Sequence, residues 1–276
     1  MSKLWKVNLS APSQRPGHRF DNLASRDPAL RGQSEIRNPA HPVKMARHHL
    51  IPWNQLRKFW DNMIRGGQFD LLSGTLIRQM SENIDRYPLS AKYRENVLGS
   101  FRVFDGLVSN HSLVHDPTAL SDAQVHVTTF REMYCWMPGN LFIGPDGEHR
   151  GKGDPVEKFE SDARAAAGAE RFHKAFLAFE SMNRFNQAIV GVQEASLLSD
   201  FGGKLLGVFA KDAATKLSAV AAIPTIEPVR AEAWTPVGTG TYQRGEPVPQ
   251  YSLGNAAAPS ATVGSDPGSS SADGSS

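Results

Sequence analysis

The sequence predicts an α+β protein, mostly helical, with a small two-stranded element and a flexible C-terminal tail. Three observations lead there. Apolar residues recur at helical spacing through residues 53–108 and again through 169–222. Two short strand-like runs, Lys44 to His49 and Leu141 to Ile143, are each closed by a proline a few residues on. From Ile223 the composition shifts to Pro, Gly, Ser, Thr and Ala, and no large apolar residue follows Leu253.

Taken in order, residues 1–43 read as an irregular basic arm. Pro12, Pro16, Pro28, Pro39 and Pro42 exclude a long helix there. Up to residue 50 the chain carries nine Lys/Arg (Lys3, Lys6, Arg15, Arg19, Arg26, Arg31, Arg37, Lys44, Arg47) against Asp21, Asp27 and Glu35. Such a flank suits a polyanion, and it equally suits a solvated arm. Lys44 to His49 is the first strand, stopped by Pro52. Trp53, Leu56, Phe59, Trp60, Met63 and Ile64 then mark a helix ended by Gly66-Gly67, and Phe69, Leu72, Leu76, Ile77, Met80 and Ile84 a second one before Pro88. A third runs from Ser90 to Val108. His111 and His115 stand four apart, a possible ligand spacing, but Ser109-Asn110 and Asp116-Pro117 around them favour a loop. His126 alternates with β-branched neighbours and reads as an ordinary strand or helix position.

Met137-Pro138-Gly139 is a turn, Leu141-Phe142-Ile143 a strand ended by Gly144-Pro145, and residues 146–153 a glycine-rich turn. Asp154-Pro155-Val156-Glu157 has the form of a helix N-cap with proline in the first turn and a capping-box acid. Phe172, Phe176, Phe179, Met182 and Phe185 form an apolar stripe read as core. Further helical material follows over 188–222, interrupted by Gly202-Gly203, and residues 223–276 form a Pro/Gly/Ser-rich flexible tail.

The totals limit the function classes. No run of 18 apolar residues occurs, so no stable membrane insertion is expected. The N-terminal residues lack the apolar core of a signal peptide, which predicts a cytoplasmic protein in the producing cell. The single cysteine, Cys135, excludes an internal disulfide and a multi-cysteine metal site, and reads as a buried thiol. A net charge of +2 is too small to argue for nucleic acid by itself.

The chemistry concentrates in Arg47-His48-His49-Leu50-Ile51-Pro52, answered by Gly139-Asn140-Leu141-Phe142-Ile143-Gly144-Pro145 and then His149. Neighbouring side chains on a strand point to opposite faces, so two adjacent imidazoles do not both enter one core. At a frayed strand end they can converge on a small site, one as ligand and one as base. An exposed His-His loop is the plain alternative, and Asn140 with His149 nine residues later tips the balance.

This pattern resembles the HNH, or ββα-metal, nucleases of the colicin-DNase and bacterial polymorphic-toxin type, over residues 44–160. The resemblance implies a ββα core from 44–52 and 136–167, which makes the helical stretch 53–135 an insertion and leaves the helices read over 169–222 as C-terminal to it. It implies that His48 and His149 hold one divalent metal, that His49 is the general base and that Asn140 orients it. Here the insertion between the halves is much longer than in the compact motif, and the position four residues after His149 is Gly153, where the family often has a further ligand. Asp154 or Glu157, as well as Asp146, Glu148 or Glu160, or water, could fill that place. Arg47, Arg150 and Lys152 are candidates for phosphate contact.

The expected activity is metal-dependent hydrolysis of DNA, with Mg²⁺ or Mn²⁺ suited to a site that keeps several waters and Zn²⁺ or Ni²⁺ admitted by the imidazoles. By resemblance, such nucleases include antibacterial effectors delivered to the cytoplasm of target cells, for instance by type VI secretion, through a carrier or adaptor and restrained by a cognate immunity protein. A phage or mobile-element nuclease, or an RNase toxin, fits the same residues. A helical membrane-perturbing toxin built on 169–222 is the alternative of another class.

Overall fold

The computed structural model describes residues 5–20, 45–110, 113–115, 123–145, 163–164, 167–194, 200–223, 234–241 and 247–253. Helices dominate these residues, with three separate two-stranded pairings beside them, an α+β architecture. β1 (Trp5–Val7) is followed by β2 (Met45–His49), α1 (Trp53–Arg65), α2 (Phe69–Asn83), α3 (Ala91–Ser109) and β3 (Leu113–His115). Then come α4 (Gln124–Cys135), a 3-10 turn (Pro138–Asn140), β4 (Leu141–Pro145), α5 (Ala169–Glu194), α6 (Asp200–Ala221), β5 (Trp234–Thr241) and β6 (Pro247–Leu253).

α1 starts directly after Pro52 and buries Trp53, Leu56, Phe59, Trp60 and Met63 on one face. It ends where Gly67 takes φ +64°, a left-handed conformation open to glycine at no steric cost. The Gln68 N–H then reaches back to the Met63 carbonyl at 2.8 Å, closing the helix end. The Ser90 hydroxyl caps α3 by accepting from the Tyr93 N–H at 3.3 Å.

The centre of the body is aromatic. Trp60 packs on Phe69 (4.7 Å between centroids) and Tyr134 (5.1 Å), and Phe104 on Phe130 (5.0 Å). Three polar tips among the buried aromatic side chains find acceptors: Tyr134 Oη donates to the Leu56 carbonyl, Tyr87 Oη to that of Ala221, and Trp60 Nε1 to that of Leu9. α5 and α6 pack on each other, α6 also lies along α2, and α1 meets α5. At that last contact Asn62 Nδ2 donates to Asn186 Oδ1 at 2.8 Å, both side chains being buried.

Several expectations are corrected. Part of the N-terminal arm is packed: β1 pairs in parallel with β3, and Leu9 and Phe20 are buried. Leu113 to His115 is therefore a strand, although its neighbours favour a loop; the ordering comes from residues 5–7, over 100 positions away in sequence. α6 contains Gly202-Gly203 instead of being interrupted by them. Of the Phe172–Phe185 stripe, Met182 and Phe185 are core, whereas Phe176 is 43% exposed, because Ala175 and Ala178 supply the buried face of that turn. Within the expected flexible tail, β5 and β6 form an antiparallel pair with an irregularity at Pro236/Gly238. Backbone pairing needs no large apolar side chains, so composition misses it. Residues 254–276 lie outside the described residues.

Candidate functional site

β2 and β4 pair antiparallel, with Met45 opposite Pro145, Arg47 opposite Ile143, His48 opposite Phe142 and His49 opposite Leu141. The two halves of the histidine pattern, separated by the helices of 53–135, thus meet in one ladder. Pairing continues one step beyond the strand, where the Leu50 N–H donates to the Asn140 carbonyl at 2.8 Å.

The Asn140 side chain is fully buried and closes a clasp on Ile51. Its Oδ1 accepts from the Ile51 N–H at 2.7 Å and its Nδ2 donates to the Ile51 carbonyl at 3.1 Å. An amide has one acceptor and one donor end, so it can satisfy both backbone groups of a single residue. The side-chain bonds of Asn140 thus go to the backbone of Ile51, two residues beyond His49, whereas the resemblance implies an asparagine that orients the His49 imidazole.

His49 is buried, and its ring nitrogens have distinct partners. Nε2 lies 2.9 Å from the Cys135 carbonyl, which can only accept, so Nε2 carries the proton. The lone pair is then on Nδ1, which faces Arg15 Nη1 at 3.4 Å. Trp136 packs against the ring at 4.8 Å, and the Arg15 guanidinium lies over the same indole at 4.7 Å. Burial first, and then Arg15, lower the His49 pKa from its ordinary 6.5 to about 4. The imidazole is thus neutral at pH 7, more firmly than an unperturbed histidine. Cys135 Sγ lies 3.7 Å from Nε2, but burial pushes this thiol up to about 12, which leaves it protonated and a poor nucleophile.

His48 is half-buried, with its ring 5.2 Å from Phe142, its cross-strand partner. The expected convergence of the two imidazoles at a frayed strand end is not what the ladder displays. The strand continues through His49, and its alternation sends the two side chains to opposite faces. Arg47 lies over Phe20 at 5.2 Å. His18, edge-on to Trp136 at 4.8 Å, has its pKa lowered by burial, Arg47 and Arg15. Two guanidinium groups, Arg15 from the arm and Arg47 from β2, therefore lie around His18 and His49.

His149, Arg150, Lys152, Asp154 and Glu157 lie outside the described residues, as do Asp146, Glu148, Glu160 and His111. His48 is thus the one proposed ligand placed, and among the described residues no three His, Cys, Asp or Glu side chains group as a metal site. His126 sits in the first turn of α4, a helix position as its neighbours allowed. The sequence reading missed Arg15, Trp136 and the Cys135 carbonyl as partners of His49. Arg15 stood out only as one of nine basic residues, and main-chain carbonyls leave no trace in side-chain patterns.

The depressed His49 pKa has a consequence for folding. Between pH 6.5 and about 4 the unfolded chain binds a proton at this position that the native imidazole refuses. The contribution is fully present above pH 6.5 and is lost as the pH falls through 4. It is worth about 3 kcal/mol, at about 1.4 kcal/mol per pKa unit. Urea unfolding at pH 7, 5.5 and 4 checks this: His49→Gln should flatten the pH dependence, and equal slopes in both proteins would refute the assignment.

Fold and site together define a mostly helical α+β protein in which an asparagine clasp docks a His-His strand into a two-stranded antiparallel ladder. No family model matches the sequence, and no solved structure matches it. Over 142 residues the chain is 32% identical to a protein designated p9 from Acyrthosiphon pisum secondary endosymbiont phage 1. The match takes in 48% of this chain and 37% of the phage protein, so the chain corresponds to well under half of that relative.

Proposed function

We propose that this protein is a metal-dependent endonuclease of the HNH type that hydrolyses phosphodiester bonds of DNA. The observation that carries the reading is the tautomer and placement of His49, a neutral imidazole whose Nε2–H is held by a carbonyl while Nδ1 keeps its lone pair. A general base needs one nitrogen fixed and the other able to take a proton from water, which Nδ1 can do once the Arg15 contact is released. The basic groups around it suit an anionic substrate, and the negative charge of an arriving phosphate raises the His49 pKa towards the range useful for proton abstraction. Asn140 holds the strand end through Ile51, so the base is oriented without a charge added to the site.

His48, and His149 outside the described residues, are the residues that would hold one divalent cation, Mg²⁺, Mn²⁺, Zn²⁺ or Ni²⁺, with Asp154 or Glu157 as a further ligand. For that ion and His49 to meet one phosphate, the end of β2 must turn His48 from the face opposite His49. When bound, such an ion polarises the phosphate and stabilises the leaving oxygen. Arg47, Arg150 and Lys152 are offered as phosphate contacts. Delivery into a competitor cell with a cognate immunity protein remains part of the proposal. The phage relative favours a second setting for the same chemistry, a phage or mobile-element nuclease. For the membrane-perturbing alternative, no helix among the described residues is long and apolar enough to cross a membrane.

Plasmid cleavage by the purified full chain, with Mg²⁺, Mn²⁺, Zn²⁺ or EDTA, tests the reading. Metal-dependent nicking is expected, abolished by EDTA and reduced about 10²–10⁴-fold in His49→Ala, the usual range for a general base. Cleavage that survives His49→Ala removes His49 from the chemistry. Folded protein that cuts neither DNA nor RNA with any of these metals overturns the nuclease reading.

A further inference from the structure

We propose that residues 10–19 form a strap across His49, clasped by Arg15 and Arg19, which lifts to give a phosphodiester access to Nδ1. The nuclease reading supplies the purpose of this device, and its test does not depend on cleavage.

The buried apolar anchors of the strap are at its two ends. Ala11 packs half-buried on the core beside the first, its N–H donating to Asp61 Oδ1 at 3.2 Å, and His18 stacks on Phe20 beside the second. Leu9 and Phe20 are buried, whereas residues 13–15 and 17–19 are exposed and residues 10–12 and 16 are intermediate. Polar and ring contacts hold the middle. Trp136 Nε1 donates to the Pro16 carbonyl at 2.7 Å, and Arg15 lies between the Trp136 face and His49 Nδ1. Arg19 Nε bonds Glu132 Oε2 at 3.4 Å, and its guanidinium lies over Tyr93 at 5.7 Å. Glu132 Oε2 also accepts from Tyr93 Oη at 3.0 Å, so the Arg19 catch is preformed on the helical body.

The Arg19–Glu132 pair, whose Arg19 side chain is 59% exposed, is weak and screened by salt, and the Arg15 and Pro16 contacts are single bonds made by the strap to buried groups of the body. The buried ends belong to the core. A segment built this way opens in the middle while staying attached at Leu9 and Phe20, a local opening far cheaper than unfolding. What it covers is Nδ1 of His49, the nitrogen that carries the lone pair and that faces Arg15 Nη1 at 3.4 Å. With the strap down, Arg15 occupies the direction from which Nδ1 would meet water or substrate.

Diethyl pyrocarbonate labelling of the full chain, read by peptide fragmentation, measures access to His49, with partly exposed His48 as internal reference. Amide hydrogen exchange of residues 10–19 is followed alongside. Both are run for wild type, Arg15→Ala and Glu132→Gln, the last loosening the Arg19 catch while leaving Arg15 and His49 intact. The ratio of His49 to His48 labelling should rise about fivefold in Arg15→Ala and by a smaller factor in Glu132→Gln, as expected for loss of one exposed contact. Exchange over residues 10–19 should quicken in both, and 0.5 M NaCl should shift wild type in the same direction. Unchanged labelling and exchange in both variants would make the strap a fixed part of the fold and overturn the proposal. Faster labelling in Arg15→Ala alone, with exchange unchanged, would reduce Arg15 to a local shield and also overturn it. Loss of plasmid cleavage bears on the nuclease reading and leaves these readouts intact.

Discussion

Gly139→Ala is expected to destabilise the protein by about 3 kcal/mol or more, the upper range for forcing atoms into a packed interior. A Cβ at this position would lie 2.0 Å from the Val220 carbonyl oxygen and 2.8 Å from Ile223 Cβ. Neither obstacle is the far end of a flexible side chain, so α6 itself has to move away from the 138–140 turn. That movement also pulls on Asn140, the next residue, and through it on the strand end that carries His49. Gly207→Ala in the same helix is the control. The nearest atom there is Gln68 Oε1 at 3.7 Å, and the change should be neutral or stabilising by about 0.5–1 kcal/mol, the helix preference of alanine over glycine. Urea unfolding of the two variants decides the matter. Equal stabilities would mean that α6 is free to shift, contrary to the packing described.

Asn140→Ala is expected to cost about 3 kcal/mol, because it strands two backbone groups of Ile51 at a position that is 1% exposed. Asn140→Asp should recover little. A carboxylate can accept from the Ile51 N–H but cannot donate to its carbonyl, and it brings a charge into a buried place. On the nuclease proposal, both variants should also lose cleavage by about 10²-fold even where they remain folded, since a shift of about 1 Å in a catalytic group has that effect. Circular dichroism and urea midpoints separate the two consequences. A variant with native stability and undiminished cleavage would show that the clasp positions nothing.

The extent to which site and fold were legible in the sequence follows from the range of the interactions. Trp53 to Met63 announce α1 because helix burial repeats every three to four residues, so a local window contains the whole signal. The pairing of β2 with β4 was legible because residue types, not periodicity, linked the two islands across more than 80 intervening positions. Phe176 shows where periodicity fails: spacing identifies a face but not which part of it α6 and the rest of the body cover. β1, β3 and the β5–β6 pair were illegible for a related reason. Their order comes from backbone bonds to distant segments, and backbone groups are the same in every residue.

By itself, then, the sequence determined the helical bulk of the protein, the turn at Met137-Pro138-Gly139 and the two islands that pair as β2 and β4. Tertiary structure alone decided their states. It buried His49, set its proton on Nε2 through the Cys135 carbonyl, laid Arg15 from the N-terminal arm against Nδ1 and turned Asn140 onto Ile51. The physical reason is that protonation, tautomer and hydrogen-bond direction depend on solvent exclusion and on the nearest dipoles. Those neighbours come from sequence positions as far apart as Arg15, Cys135 and Asn140, and only folding assembles them.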